Sequence, residues 1–128
     1  MDINRRRPVR ITPEIMDRYE SEPEIHVFTE KVNRIDPPDT GYIEIPYNIL
    51  RRDVDYLGHM HNISYLDAAY DVMPEEYFNG PQFNFVSIEY RKELLRNDEV
   101  KAHFYKIDKG CIISLNTDKI NAVIMLKY

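Results

Sequence analysis

A carboxylate and an imidazole close together in sequence can do acid–base chemistry, and this chain offers Asp55 and His59 just before an apolar pattern of helical period, with a further carboxylate, Glu93, at the end of a strand-like run. A carboxylate can attack a carbonyl carbon or take a proton from water, and an imidazole can orient that water or protonate a leaving atom. Asp55 and His59 stand in the stretch Asp55-Tyr56-Leu57-Gly58-His59-Met60-His61-Asn62-Ile63-Ser64-Tyr65. Each also has a plainer reading: Asp55 as a turn aspartate bonding its own loop backbone, His59 as a locally satisfied loop histidine, and Glu93 as a solvated strand end. The His59-x-His61 pair would point two rings to one side of an extended segment, as metal ligands do. His26 and His103 lie far off in sequence, so no metal is expected and His61 reads as a pocket-wall residue.

The elements that must position these groups can be read around them. Ile63, Leu66, Tyr70, Met73 and Tyr77 recur at steps of three and four residues, with Ser64, Asp67, Asp71 and Glu75 opposite. The spacing predicts a helix with one face buried and one wet. Asn62 is suited to cap its start, and Pro74 should end or bend it near Met73. Gly58 permits the positive φ of a sharp turn before the helix, and free N–H groups near His59 to Asn62 would favour negative charge on an oxyanion. Glu93 ends a second element, Phe83 to Lys92, in which Val86, Ile88 and Tyr90 alternate with Ser87, Glu89 and Arg91.

Further strands are expected at Tyr42–Tyr47, Val100–Ile107, Cys111–Leu115 and Ile120–Leu126, with turns at Asn97-Asp98, Asp108-Lys109-Gly110 and Asn116-Thr117-Asp118. Strand, helix and four more strands imply an α+β fold, an antiparallel sheet wrapped around one helix. Residues 1–40 read as an arm or linker, with Thr12-Pro13-Glu14 opening a short helix to about Tyr19 and a strand-like run from Ile25 to Ile35. Residues 41–128 read as the single domain.

With 128 residues, 43% apolar and 30% charged, the chain is long enough for one domain with a real core. No apolar stretch reaches membrane-span length, and the N-terminus lacks the apolar core of a signal peptide, so a cytoplasmic protein is expected. A net charge of −5 argues against a nucleic-acid partner. The single cysteine, Cys111, lies in an apolar run and reads as a buried small hydrophobe.

The pattern Asp-x-x-Gly-His-x-x-Asn-x-x-Tyr, followed by a helix and antiparallel strands, resembles the hotdog-fold thioesterases. The strand Ile88-Glu89-Tyr90-Arg91-Lys92-Glu93-Leu94 is similar to one in the second half of the acyl-ACP thioesterases, tandem hotdog enzymes that hydrolyse acyl-acyl carrier protein. Met1–Ile11 resembles the junction leaving their first repeat. The resemblance implies catalytic roles for Asp55, His59 and Glu93, which stands 34 residues beyond His59 as in the family. It implies substrate-binding roles for Gly58, Asn62 and Tyr65. The family's asparagine and cysteine positions hold Leu57 and Leu94 instead.

The activity so implied is release of free fatty acid from acyl-ACP, in fatty acid biosynthesis and lipid metabolism, with no cofactor. The partners are acyl carrier protein or a coenzyme A thioester, with a homodimer or another hotdog domain completing the site. The alternatives are a single-domain acyl-CoA thioesterase or a non-catalytic acyl-binding half. Phe83 and Phe85 could line an acyl tunnel or belong to the core. Arg51, Arg52, Arg91, Lys92 and Arg96 could meet an acidic carrier or be solvated charge.

Overall fold

The computed structural model describes residues 9–20, 22, 24–26, 28 and 33–128. Its chain contacts form two units, Met1–Asn33 and Arg34–Tyr128. In the first, α1 spans Pro13–Arg18, with proline at the start and the Thr12 carbonyl accepting the N–H groups of Ile15 and Met16 at 3.0 and 3.1 Å. Proline suits that position because its missing N–H would have had no partner in the helix. Most of the junction-like stretch Met1–Ile11 lies outside the described residues. So do five residues of the strand-like run from Ile25, and its described residues form no strand.

In the second unit the strands are β1 (Tyr42–Tyr47), β2 (Phe85–Tyr90), β3 (Val100–Ile107), β4 (Gly110–Asn116) and β5 (Ile120–Lys127); β4 and β5 are near-continuous apolar runs, as strands covered on both faces are. They form one sheet in the order β1-β3-β4-β5-β2, and the four pairings are all antiparallel. The β3–β4 hairpin turns at Asp108-Lys109, and Gly110 follows at φ 156°, where an added Cβ would collide with the Leu126 carbonyl. Only glycine fits so close a backbone approach.

The predicted helix is broken at Pro74, as expected, into α2 (Ser64–Asp71) and α3 (Glu75–Phe78). Two details differ. Asn62 is not the cap: Ile63 occupies that position, already helical, and no side chain caps it. The buried face is also rotated. Ile63 is 77% exposed and Tyr70 sits at the surface, whereas Ser64, Tyr65, Ala68, Ala69, Val72 and Met73 are buried. The sheet selects the face with the two small alanines because they let the helix backbone approach closely; hydrophobic spacing alone favours the bulkier side chains.

This face packs with Phe104, Cys111, Ile113, Leu115, Ile124 and Leu126 into the main core. Each large side chain removed from water contributes about 1.5–3 kcal/mol. A smaller cluster of Tyr105, Ile112, Val123 and Ile35 occupies the opposite side of the sheet. Ile35, counted in the arm by sequence, is held there: its N–H donates to Glu89 at 2.9 Å and its carbonyl accepts from Arg91 at 2.6 Å. Central β4 is consequently buried at every position. Among the described residues, edge strands β1 and β2 each leave one side unpaired.

Candidate active site

Between β1 and α2 the chain makes a 3-10 turn at Arg51–Asp53, closed by the Asp53 carboxylate accepting the Leu50 N–H at 2.8 Å. It then doubles back on itself. Val54 pairs with Met60 across a tight loop in which Gly58, at φ 80°, takes the left-handed conformation. Asp55 closes that loop, its Oδ1 accepting the N–H groups of Leu57 at 2.8 Å and His59 at 3.0 Å. The turn role read for Asp55 is therefore present. One carboxylate oxygen suffices for it, and among the described residues Oδ2 has no hydrogen-bond partner. The His59 N–H, and against a partial desolvation the Leu57 N–H, hold the Asp55 carboxyl below the usual carboxylate range.

The returning arm pairs with the segment after β2: His59 bridges Leu95, and the Met60 N–H donates to the Leu94 carbonyl at 2.8 Å. This pairing brings His59 beside Glu93, with Nε2 and Oε2 3.5 Å apart. That is ion-pair range, longer than a hydrogen bond. From the helix side, the Tyr65 hydroxyl accepts the Leu94 N–H at 3.1 Å and its ring meets Tyr90 edge to face at 5.1 Å. Burial pushes the Tyr65 phenol above its ordinary pKa.

Asp55, His59, Asn62, Tyr65 and Glu93 all line one open cleft of about 770 Å³ at the start of α2. Of the six residues expected to form a site, only Gly58 does not line it; its part is the turn, where its carbonyl accepts the Arg96 N–H at 3.2 Å. Leu57 and Leu94 are outside the lining too, and Leu94 is fully buried in the core. Phe83 packs against the core and Phe85 is half-exposed on β2; neither reaches the cleft.

Three of the N–H groups expected to be free are committed: His59 to Asp55 Oδ1, Met60 to Leu94 and His61 to Asp53. Among the described residues, the first amide in this stretch without an acceptor is that of Asn62. Of the five basic residues, Arg91 is tied to Glu89 and Asp36, Lys92 faces Asp118 at 3.5 Å and Arg52 faces Asp53 at 3.8 Å. Arg51 and Arg96 make no ion pair among the described residues.

Sequence reasoning missed Ser64, placed on the wet face but buried at the cleft, and Tyr90, which donates to the Asn62 carbonyl at 3.0 Å. It also passed over Asn121, the one polar residue within Ile120–Leu126, whose side chain bonds the Glu93 carbonyl. No group of three His, Cys, Asp or Glu side chains able to hold a metal occurs among the described residues.

Residues 38–126 match the acyl-ACP thioesterase C-terminal domain family. The chain belongs to this family. No curated protein matches it. Its fold is the hotdog. The 12:0-ACP thioesterase of Umbellularia californica is 15% identical, with a TM-score of 0.71 over 99% of this chain and 52% of that one. A Lactobacillus plantarum protein assigned as an oleoyl thioesterase is 23% identical, with a TM-score of 0.70 over 96% and 51%. A Thermus thermophilus thioesterase, solved with coenzyme A and Zn, is 18% identical, with a TM-score of 0.54 over 67% and 82%. The chain thus spans about half the length of the first two. Among the described residues, no helix is long and apolar enough to cross a membrane.

Proposed function

We propose that the chain hydrolyses acyl thioesters, acyl-ACP in preference to acyl-CoA, releasing a free fatty acid in the cytoplasm. The observation that carries this reading is the convergence of Asp55, His59 and Glu93 on one cleft at the start of α2. Either Asp55 takes a proton from a water that attacks the thioester carbonyl carbon, or the free oxygen of Asp55 attacks that carbon to form a mixed anhydride that water then hydrolyses to the free acid; in both, the carbon–sulfur bond breaks. The Asn62 N–H stabilises the oxyanion, and His59, paired with Glu93, transfers the proton to the departing sulfur. The carboxylate acts as base or as nucleophile; both routes use the same side chains.

The depressed pKa of Asp55 keeps it ionised for either part. Arg51 and Arg96 are available to an acidic carrier. The open edge of β2, with Phe85, Val86 and Tyr90 exposed along it, suits pairing with a second hotdog domain, from another copy of this chain or another protein. Mass measurement in solution tests that pairing.

Steady-state hydrolysis of medium and long acyl-ACPs and acyl-CoAs by the parent, Asp55→Asn and Glu93→Gln chains tests the chemistry. General acid–base roles correspond to losses of about 10²–10⁴-fold in kcat. Activity untouched by both substitutions would remove these carboxylates from the mechanism. A second reading, a non-catalytic acyl-binding half, is favoured by Leu57 standing where the family it resembles has a polar asparagine. Acyl-ACP binding without turnover of any donor would establish it.

A further inference from the structure

Asn121 is fully buried, and a buried amide is stable only where its polar groups are paired. Its pairs converge on the corner that carries Glu93. Nδ2 donates to the Glu93 carbonyl at 3.2 Å, while Oδ1 accepts the N–H and the hydroxyl of Thr117, each at 2.9 Å. The Asn121 backbone carbonyl accepts from Arg91 at 2.8 Å and from Lys92 at 3.0 Å. Residues 91, 92 and 93 are thereby fixed from a single position on β5, and Thr117 in the β4–β5 turn fixes the amide's orientation. The Glu93 side chain itself is 61% exposed, and among the described residues its only partner is His59. Its aim depends on where its backbone is held.

We infer that Asn121 is a positioning residue for Glu93, holding the corner after β2 so that the Glu93 carboxylate stays within reach of His59. The inference rests on Glu93 acting in the hydrolytic site. Substituting Asn121→Ala frees the Glu93 carbonyl and allows the carboxylate to swing into solvent.

The test is a double-mutant cycle in the full chain, with folding checked by circular dichroism and the His59 ring resonances recorded at one fixed pH. Asn121→Ala should lower kcat/KM about 10-fold in the parent, and less than about 2-fold in the Glu93→Gln background, because residues acting as a unit are non-additive. It should also displace the His59 ring resonances as Glu93→Gln does. Should Asn121→Ala fail to fold, Thr117→Val loosens the same amide and should show the same non-additivity at about 2- to 3-fold.

Equal losses in both backgrounds overturn the inference, because general destabilisation does not act through Glu93. So do His59 resonances that Glu93→Gln moves and the Asn121 or Thr117 variant leaves in place. A folded parent that hydrolyses no thioester, yet shows the shared resonance shift, supports the positioning role and removes the hydrolase reading instead.

Discussion

Tyr65→Phe deletes one oxygen and nothing else, so its cost can be worked from the hydrogen bond it breaks. The Tyr65 hydroxyl accepts the Leu94 N–H at 3.1 Å, with Tyr65 3% exposed and Leu94 0% exposed. Without that oxygen the amide is left buried and unpaired, at a cost of about 1–3 kcal/mol. The ring contact with Tyr90 is unaffected because the ring itself remains. For a unit of this size each kcal/mol lowers the melting temperature by about 4–8 °C. Tyr90→Phe is the matched control, since it also removes one phenolic oxygen, but from a residue 47% exposed whose partner, the Asn62 carbonyl, can turn to water. Its effect should stay below about 0.5 kcal/mol. Urea unfolding followed by far-UV circular dichroism compares the two, and the m-value should be unchanged. Equal midpoints for the two variants would refute the reasoning, showing that Leu94 finds another acceptor or that the hydroxyl was not holding it.

Asp55→Asn keeps the Oδ1 acceptor for Leu57 and His59, whereas Asp55→Ala removes it; the alanine chain should unfold at lower urea while both lose turnover. The Asp55 carboxyl is lower in pKa when folded than unfolded, so its stabilisation is complete above the ordinary carboxylate value of about 4 and is lost as pH falls through the folded value. The parent's urea midpoint should therefore fall more steeply than that of Asp55→Asn below about pH 4. Gly110→Ala should prevent folding in bacterial expression, because the new Cβ meets the Leu126 carbonyl, a backbone atom of the neighbouring strand. Cys111 is fully buried and its thiol is pushed up to about 11 by desolvation, so a thiol reagent at pH 8 should label it only as fast as the chain unfolds.

Local pattern determined the strands and turns. β1 and β3 span the residues expected from sequence, β1 from its alternation and β3 from the turns on either side, and Asp108-Lys109-Gly110 turns where its composition demands, because period and turn chemistry act between neighbours in sequence. The motif from Asp55 to Tyr65 likewise announced Asp55 and His59, whose loop is closed by its own hydrogen bonds. The rest was decided by partners distant in the chain. Which helix face is buried depended on how closely two alanines approach the sheet. The N–H groups of Met60 and His61 were taken by Leu94 and Asp53 once the loop folded back. Ile35 was drawn from the arm onto the sheet by Glu89 and Arg91, and Asn121 acquired its bond to Glu93 across 28 residues. A residue's type limits what it can bond, but only the folded chain supplies the partner and excludes the water that would otherwise take its place.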